Sequence, residues 1–390
     1  MSLSRVRTAI AAATVSLLAA CGGGGGDETP VGSAPAPTPP SASAAPITRL
    51  VVAGDSLADV GTFGLKATVQ SASNPAGYPI YPEVVSQQLG TGALCSYFTS
   101  SDEGGSFATR PACTNFAVAG ADIVNPVVRD GDDSPFSLKK QLESALSANG
   151  GAWKPGDLLV MDAGANDAAG LADTYLGAQR GGATDKLVFA ALLGQQLSGS
   201  TIDNALSQPN GGSVAATLYM QQLARTWWAM VKANALDQGA TRVVLVNIPD
   251  ITLTPRLRDV VAGAATDLGA GGAADFQAAV RGWITTFNSE LAAQAAGDSR
   301  VVIVDYFGEF TAEVAGAPAA GLTNTTQAAC PATVDFPQCT DAALDAAPPA
   351  GAVAGWWKTW LFSDRFHPSP RGHELLGAAV LRAIQAAGWR

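Results

Sequence analysis

Five short runs dominated by apolar residues recur along the chain, at positions 47–53, 115–118, 157–162, 242–247 and 300–304. Three of them are nearly continuous rather than alternating, as in Asp-Leu-Leu-Val-Met-Asp at 157–162 and Arg-Val-Val-Leu-Val-Asn at 242–247. A strand with one wet face alternates apolar and polar side chains, whereas a strand covered on both faces does not. These runs therefore predict inner strands of a parallel sheet. The run at 115–118 is the weakest of the five. Between them, helical periodicity predicts helices over 82–89, 138–148, 214–236, 273–295 and 370–387. Strands and helices taken in turn predict an α/β fold, a three-layer α/β/α sandwich around a five-stranded, mainly parallel sheet. Residues 168–213 and 308–355 are rich in Gly, Ala and Thr, show little periodicity, and are expected as long excursions over the top of the sheet.

The ends of the chain change this picture. Arg5 and Arg7 precede an apolar run that stops at Ala20, too short for the roughly 20 residues that span a bilayer. Leu18-Ala19-Ala20-Cys21 resembles a bacterial lipoprotein cleavage site, which implies a signal peptide over 1–20 and a lipid on the Cys21 thiol. Gly22 rather than Asp after the cysteine implies an outer-membrane lipoprotein, periplasmic or surface-exposed. Residues 21–46 are Gly, Pro, Ala, Ser and Thr with almost no large apolar side chain, so a flexible tether is expected, leaving 47–390 as one folded domain. Loss of 1–20 removes two arginines and no acids, giving a mature charge of 21 − 33 = −12. That sign argues against nucleic acid as a partner and leaves the lipid anchor as the expected link to a membrane. Four cysteines remain besides Cys21, and three pairings are possible. The close spacing of Cys95 with Cys113 and of Cys330 with Cys339 predicts those two disulfides, in keeping with an oxidising compartment. No Cys-x-x-Cys occurs and the chain has two histidines, so no metal site is expected.

Candidate chemistry falls at the carboxyl ends of the predicted strands, where open α/β sheets gather reactive groups. Ser56 follows the first strand in Gly54-Asp55-Ser56-Leu57, Gly120 follows the second, Asn166 the third in Gly164-Ala165-Asn166-Asp167, and Asn247 ends the fourth. A helix opening at Ser56 would place amides and a dipole beside its hydroxyl. Gly-x-Ser-x-Gly is absent, which excludes the usual nucleophile elbow. Asp364 and His367 lie three residues apart, so one turn can bring the carboxylate to imidazole Nδ1 and leave Nε2 for a serine proton. Ser369-Pro370 then supplies a cap and a first-turn proline for the last helix. His373 lies inside that helix and reads as structural. The run Trp356-Trp357-Lys358-Thr359-Trp360-Leu361-Phe362 either lines a substrate pocket or packs the loop onto the core.

The ordered set Ser56, Gly120, Asn166 and Asp364-x-x-His367-Pro368 resembles the SGNH (GDSL-type) serine hydrolase superfamily, and Asn247-Ile248-Pro249-Asp250 resembles a stretch of its lipase/esterase branch. The resemblance spans roughly residues 47–388 and implies a flavodoxin-like sandwich. It implies Ser56 as nucleophile, His367 as general base and acid, Asp364 as its orienter, and an oxyanion hole from the Ser56 and Gly120 amides with the Asn166 side chain. The implied reaction is carboxylic-ester hydrolysis through an acyl-enzyme without a cofactor, by an esterase or lipase, a phospholipase A or a lysophospholipase. Two other readings stand beside it: a deacetylase of O-acetylated glycan, and a monomeric binding module that keeps the fold without turnover. A monomer is expected in each case.

Overall fold

Alternation of side chains across a parallel sheet sorts the apolar runs into two cores. The computed structural model describes residues 45–101, 104–125 and 130–390; the expected signal peptide, Cys21 and nearly all of the tether lie outside them. Within this body β1 (Arg49–Ala53) is followed by α1 (Tyr81–Leu89), a small antiparallel pair β2 (Phe98–Thr99) and β3 (Ala108–Thr109), and α2 (Leu138–Ala148). Next come β4 (Asp157–Asp162), α3 (Ala165–Gln179), α4 (Ala183–Leu193), α5 (Gly199–Leu206), α6 (Gly211–Asn234), β5 (Val243–Val246) and α7 (Pro255–Ala295). The chain closes with β6 (Val301–Val304), α8 (Tyr306–Ala315), β7 (Asn324–Ala328), α9 (Asp341–Ala346), β8 (Trp360–Phe362) and α10 (Pro370–Ala386).

The main sheet has the order β1-β4-β5-β6, all parallel, with Val52, Val160, Val244 and Val302 paired in one row. Leu50, Val52, Leu158, Val160, Val244 and Val246 face a core built with α1, α8 and α10. Val51, Ala53, Leu159, Met161, Val243 and Leu245 face the opposite core, with α2, α3, α6 and α7. The three-layer sandwich is therefore as expected; the runs at 157–162 and 242–247 are its central strands, whereas the equally apolar run at 300–304 forms the edge strand β6, which is only partly buried.

The fifth strand is ragged. Residues 115–118 lie along the free edge of β1, with Phe116 N–H donating to Val52 O (2.7 Å) and Val118 N–H to Gly54 O (3.1 Å), but only Asn115 forms a bridge. The reason is local. The Asn115 carboxamide accepts from the Ala117 amide (3.1 Å) and donates to Ala58 O (2.7 Å), a side-chain claim on the backbone that competes with a regular ladder.

The two expected excursions need correction. Residues 168–213 are largely helical, in α3, α4 and α5, because alanines at 168, 169 and 172 with Leu171 and Leu176 supply a buried face despite their small size. Residues 308–355 hold most of α8, then β7 paired parallel with β8, then α9. The helix expected at 273–295 starts earlier, at Pro255, and breaks at Gly269 (φ 74°, ψ 168°). Disulfides join Cys95 to Cys113 and Cys330 to Cys339. The second belongs to a small third core with Val69, Leu344 and Trp357. No helix among the described residues is long and apolar enough to cross a membrane.

Candidate active site

The end of β1 is pinned before it turns. Buried Gln141 brackets Gly54 from both sides, its Oε1 accepting from the Gly54 amide (2.7 Å) and its Nε2 donating to the Gly54 carbonyl (3.0 Å). A side chain at 54 has no room: a Cβ there would lie 2.5 Å from Asp162 Oδ1 and 2.9 Å from the Asp162 carbonyl. The chain then makes a single helical turn, closed by Asp59 N–H donating to Asp55 O (3.0 Å) and by Leu57 N–H donating to Asp55 Oδ1 (3.0 Å). No helix grows from Ser56, contrary to expectation; Asp59 instead accepts from the amides of Gly61, Thr62 and Ala119, which draws the turn sideways. Ser56 is left at the carboxyl edge of the sheet, buried at 6% exposure.

The imidazole arrives from the other end of the chain. Beyond β8, Ser363 N–H donates to His367 O (2.9 Å), closing a tight loop. Asp364 Oδ1 accepts from the amides of Phe366 (2.7 Å) and His367 (2.6 Å), and Asp364 Oδ2 lies 2.8 Å from His367 Nδ1. His367 Nε2 lies 2.8 Å from Ser56 Oγ, across 311 positions of sequence. Ser369 caps α10, accepting from Gly372 N–H (3.2 Å), with Pro370 in the first turn as expected. Asn166 is the second residue of α3, and its Nδ2 donates to Ala121 O (2.9 Å), which brings it to the turn at Gly120 (φ 78°). The four blocks read in the sequence thus converge on one edge of the sheet.

The chain matches the family described as GDSL-like Lipase/Acylhydrolase over residues 50–380. It belongs to that family. Two solved structures align with it. One is an extracellular lipase from Streptomyces rimosus (14% identity, 86% of this chain and 99% of that one, TM-score 0.38). The other is the lipase Lip_vut3 from a goat rumen metagenome (13%, 87% and 97%, TM-score 0.37). No curated protein matches the chain.

Electrostatics around the histidine of this GDSL-like acylhydrolase are set by acids. Burial alone would pull the His367 pKa down, but the charge and hydrogen bond of Asp364, helped by the charge of Asp55, hold it above its ordinary value. Burial acts on Asp364 the other way, yet His367 and the two loop amides hold its pKa below the usual carboxylate range. Beneath Ser56, Asp55 and Asp162 are both buried and share a site. Burial and the neighbouring charge of Asp55 push Asp162 well above the ordinary range, while the Tyr81 hydroxyl donates to its Oδ1 (2.8 Å). Burial raises the Asp55 pKa as well, but Asp162 stands further above the ordinary range. His373 is fully buried in α10, where its Nδ1 accepts from the Tyr81 amide (3.4 Å) and burial lowers its pKa to about 3, in line with the structural reading.

The remaining expectations divide. Asn247 ties β5 to α8, donating to Asp305 Oδ1 (3.0 Å) and accepting from Phe307 N–H (2.9 Å). Trp357 is buried edge-on against Tyr78 (5.4 Å) and Trp356 packs on Trp360 (4.5 Å), so the tryptophans pack the loop onto the third core, while Phe362 reaches a pocket beside Ser56. Gln141, Asp162, Tyr81 and Arg256, whose amide donates to Arg365 O (2.7 Å), escaped the sequence reading. Only the run Asp157–Asp162 carried a signal for any of them: an acid closing an apolar strand is unusual unless it has a partner. Among the described residues no cluster of three His, Cys, Asp or Glu side chains could hold a metal ion.

Proposed function

We propose that this acylhydrolase cleaves carboxylic esters with Ser56 as nucleophile, His367 as general base and acid, and Asp364 as the group that orients the ring. The observation that carries this is the unbroken relay from Asp364 Oδ2 to His367 Nδ1 and from His367 Nε2 to Ser56 Oγ, each step 2.8 Å. With Nδ1–H donating to Asp364, the lone pair on Nε2 points at the serine hydroxyl and takes its proton as Oγ adds to the ester carbonyl. The imidazolium formed then protonates the leaving alkoxide, and a water activated by the same nitrogen hydrolyses the acyl-enzyme. A raised His367 pKa suits the base role, because the ring binds the serine proton more firmly.

The negative charge on the tetrahedral intermediate needs donors, and the amides of Ser56 and Gly120 with the Asn166 carboxamide are our proposed set. One N–H of Asn166 Nδ2 holds Ala121 O, and its second is the donor this reading assigns to the oxyanion. Each such donor contributes about 3 kcal/mol to transition-state stabilisation. No step requires a cofactor. The two disulfides fit an oxidising compartment and so support an extracytoplasmic site of action. Attachment to the outer membrane through a lipid on Cys21 is part of the same proposal.

A fluorophosphonate probe tests the core of it. The wild-type chain is expected to label stoichiometrically with loss of ester turnover, and Ser56→Ala to take no label while keeping the wild-type melting profile. A folded wild-type chain that neither labels nor turns over esters would favour the silent binding module instead.

A further inference from the structure

A nucleophile on a sheet edge says nothing about which acyl group it receives; the space beside it does. The cavity that opens onto Ser56 and His367 is walled by apolar side chains, among them Leu57, Ile251 and Phe366 and the rings of Tyr306, Phe310 and Phe362. The last three rings pack in series. Tyr306 meets Phe310 at 5.6 Å and Phe310 meets Phe362 at 5.9 Å, both edge to face, and all are almost fully buried. Two come from α8 and one from β8, so separate elements hold this aromatic wall. The cavity volume is about 30 Å³.

That volume is small for a lipid. An apolar cavity of about 150 Å³ accommodates benzene, so roughly 25 Å³ goes with each carbon atom. By that measure the enclosed part of this cavity holds one or two carbons. A longer chain has to displace Phe310, and because Phe310 is interlocked with both neighbouring rings, one side chain cannot rotate away alone. Close-packed interiors resist such insertion.

We propose that this pocket is the acyl site and that Phe310, backed by Tyr306 and Phe362, limits the acyl group to acetyl or propionyl. The substrate class is then short-chain acyl esters, and fatty acyl esters of phospholipids are excluded by these rings. This deepens the ester-hydrolase reading and rests on it.

The test is kcat/KM on p-nitrophenyl acetate, propionate, butyrate, hexanoate and octanoate with the full chain. The maximum is expected at acetate or propionate, with at least a tenfold fall by hexanoate. Phe310→Ala should raise the hexanoate-to-acetate ratio at least tenfold. Should that variant fail to fold, alkylboronic acids probe the wild-type pocket directly, since boron takes the place of the carbonyl carbon on Ser56. Inhibition should be tightest for methyl or ethyl and weaken at least tenfold by hexyl. Rates that hold or rise through octanoate, or inhibition that tightens from ethyl to hexyl, would overturn the size limit while leaving the hydrolase intact. Absence of turnover on every ester, together with absence of fluorophosphonate labelling, removes the hydrolase reading and the limit together.

Discussion

Asp364→Asn isolates the orienting role from the structural one. The Asp364 carboxylate makes three hydrogen bonds, two from Oδ1 to the amides of Phe366 and His367 and one from Oδ2 to the imidazole. An asparagine keeps its carbonyl oxygen on the two amides, because only an acceptor fits there, and so turns its NH2 toward Nδ1. The ring must then accept at Nδ1 and carry its proton on Nε2, where it donates to Ser56 Oγ instead of accepting from it. An equivalent tautomer reversal in a serine triad lowers kcat by about four orders of magnitude. That corresponds to about 5.5 kcal/mol of barrier. Folding should change little, since the loop keeps both amide bonds. The assay is kcat on p-nitrophenyl acetate at pH 8, alongside the thermal midpoint and the rate of fluorophosphonate labelling. A loss below tenfold with labelling undiminished would refute the relay argument, and a matching collapse of the thermal midpoint would mean that Asp364 serves the loop rather than the ring.

The buried acids give an asymmetric pH prediction. Turnover needs neutral His367, so any charge that raises its pKa moves the acid limb of kcat/KM to higher pH. Asp364 and Asp55 raise it and Arg256 opposes them. Asp55→Asn should therefore move the acid limb to lower pH, whereas Asp162→Asn should leave the limb in place, because the charge that acts on His367 is that of Asp55; the reverse pattern would put the charge on Asp162. Gly54→Ala forces a Cβ to 2.9 Å from the Asp162 carbonyl, which belongs to a central strand, and should cost about 1–3 kcal/mol in urea unfolding. An unchanged urea midpoint would show that β1 and β4 can part without penalty. Replacing Cys330 and Cys339 by serine releases a loop of sequence separation 9 and should cost about 2–3 kcal/mol on chain-entropy grounds. It should also slow turnover, because Phe336 within that loop packs on the His367 ring at 5.6 Å; full activity in the double variant would uncouple the third core from the site.

What the sequence determined by itself was whatever depends on near neighbours along the chain. The continuous apolar runs at 157–162 and 242–247 predicted strands covered on both faces, and β4 and β5 are such strands. Asp364 and His367 needed one turn to meet, and the spacing of the cysteines was enough to choose their partners. Where local pattern was faint, as in the alanine-rich face of α3, small side chains hid a helix whose stability comes from packing against distant ones. Only the tertiary structure decided the contacts that join segments far apart: Ser56 with His367, Gly54 with Gln141, Tyr81 with Asp162. It also decided the size of the pocket beside Ser56, because its walls include three rings from two elements whose spacing no run of residues encodes. Reactive groups can be read from residue type and order, since chemistry belongs to the side chain. Volume belongs to the packing between elements, and it exists only once they have met.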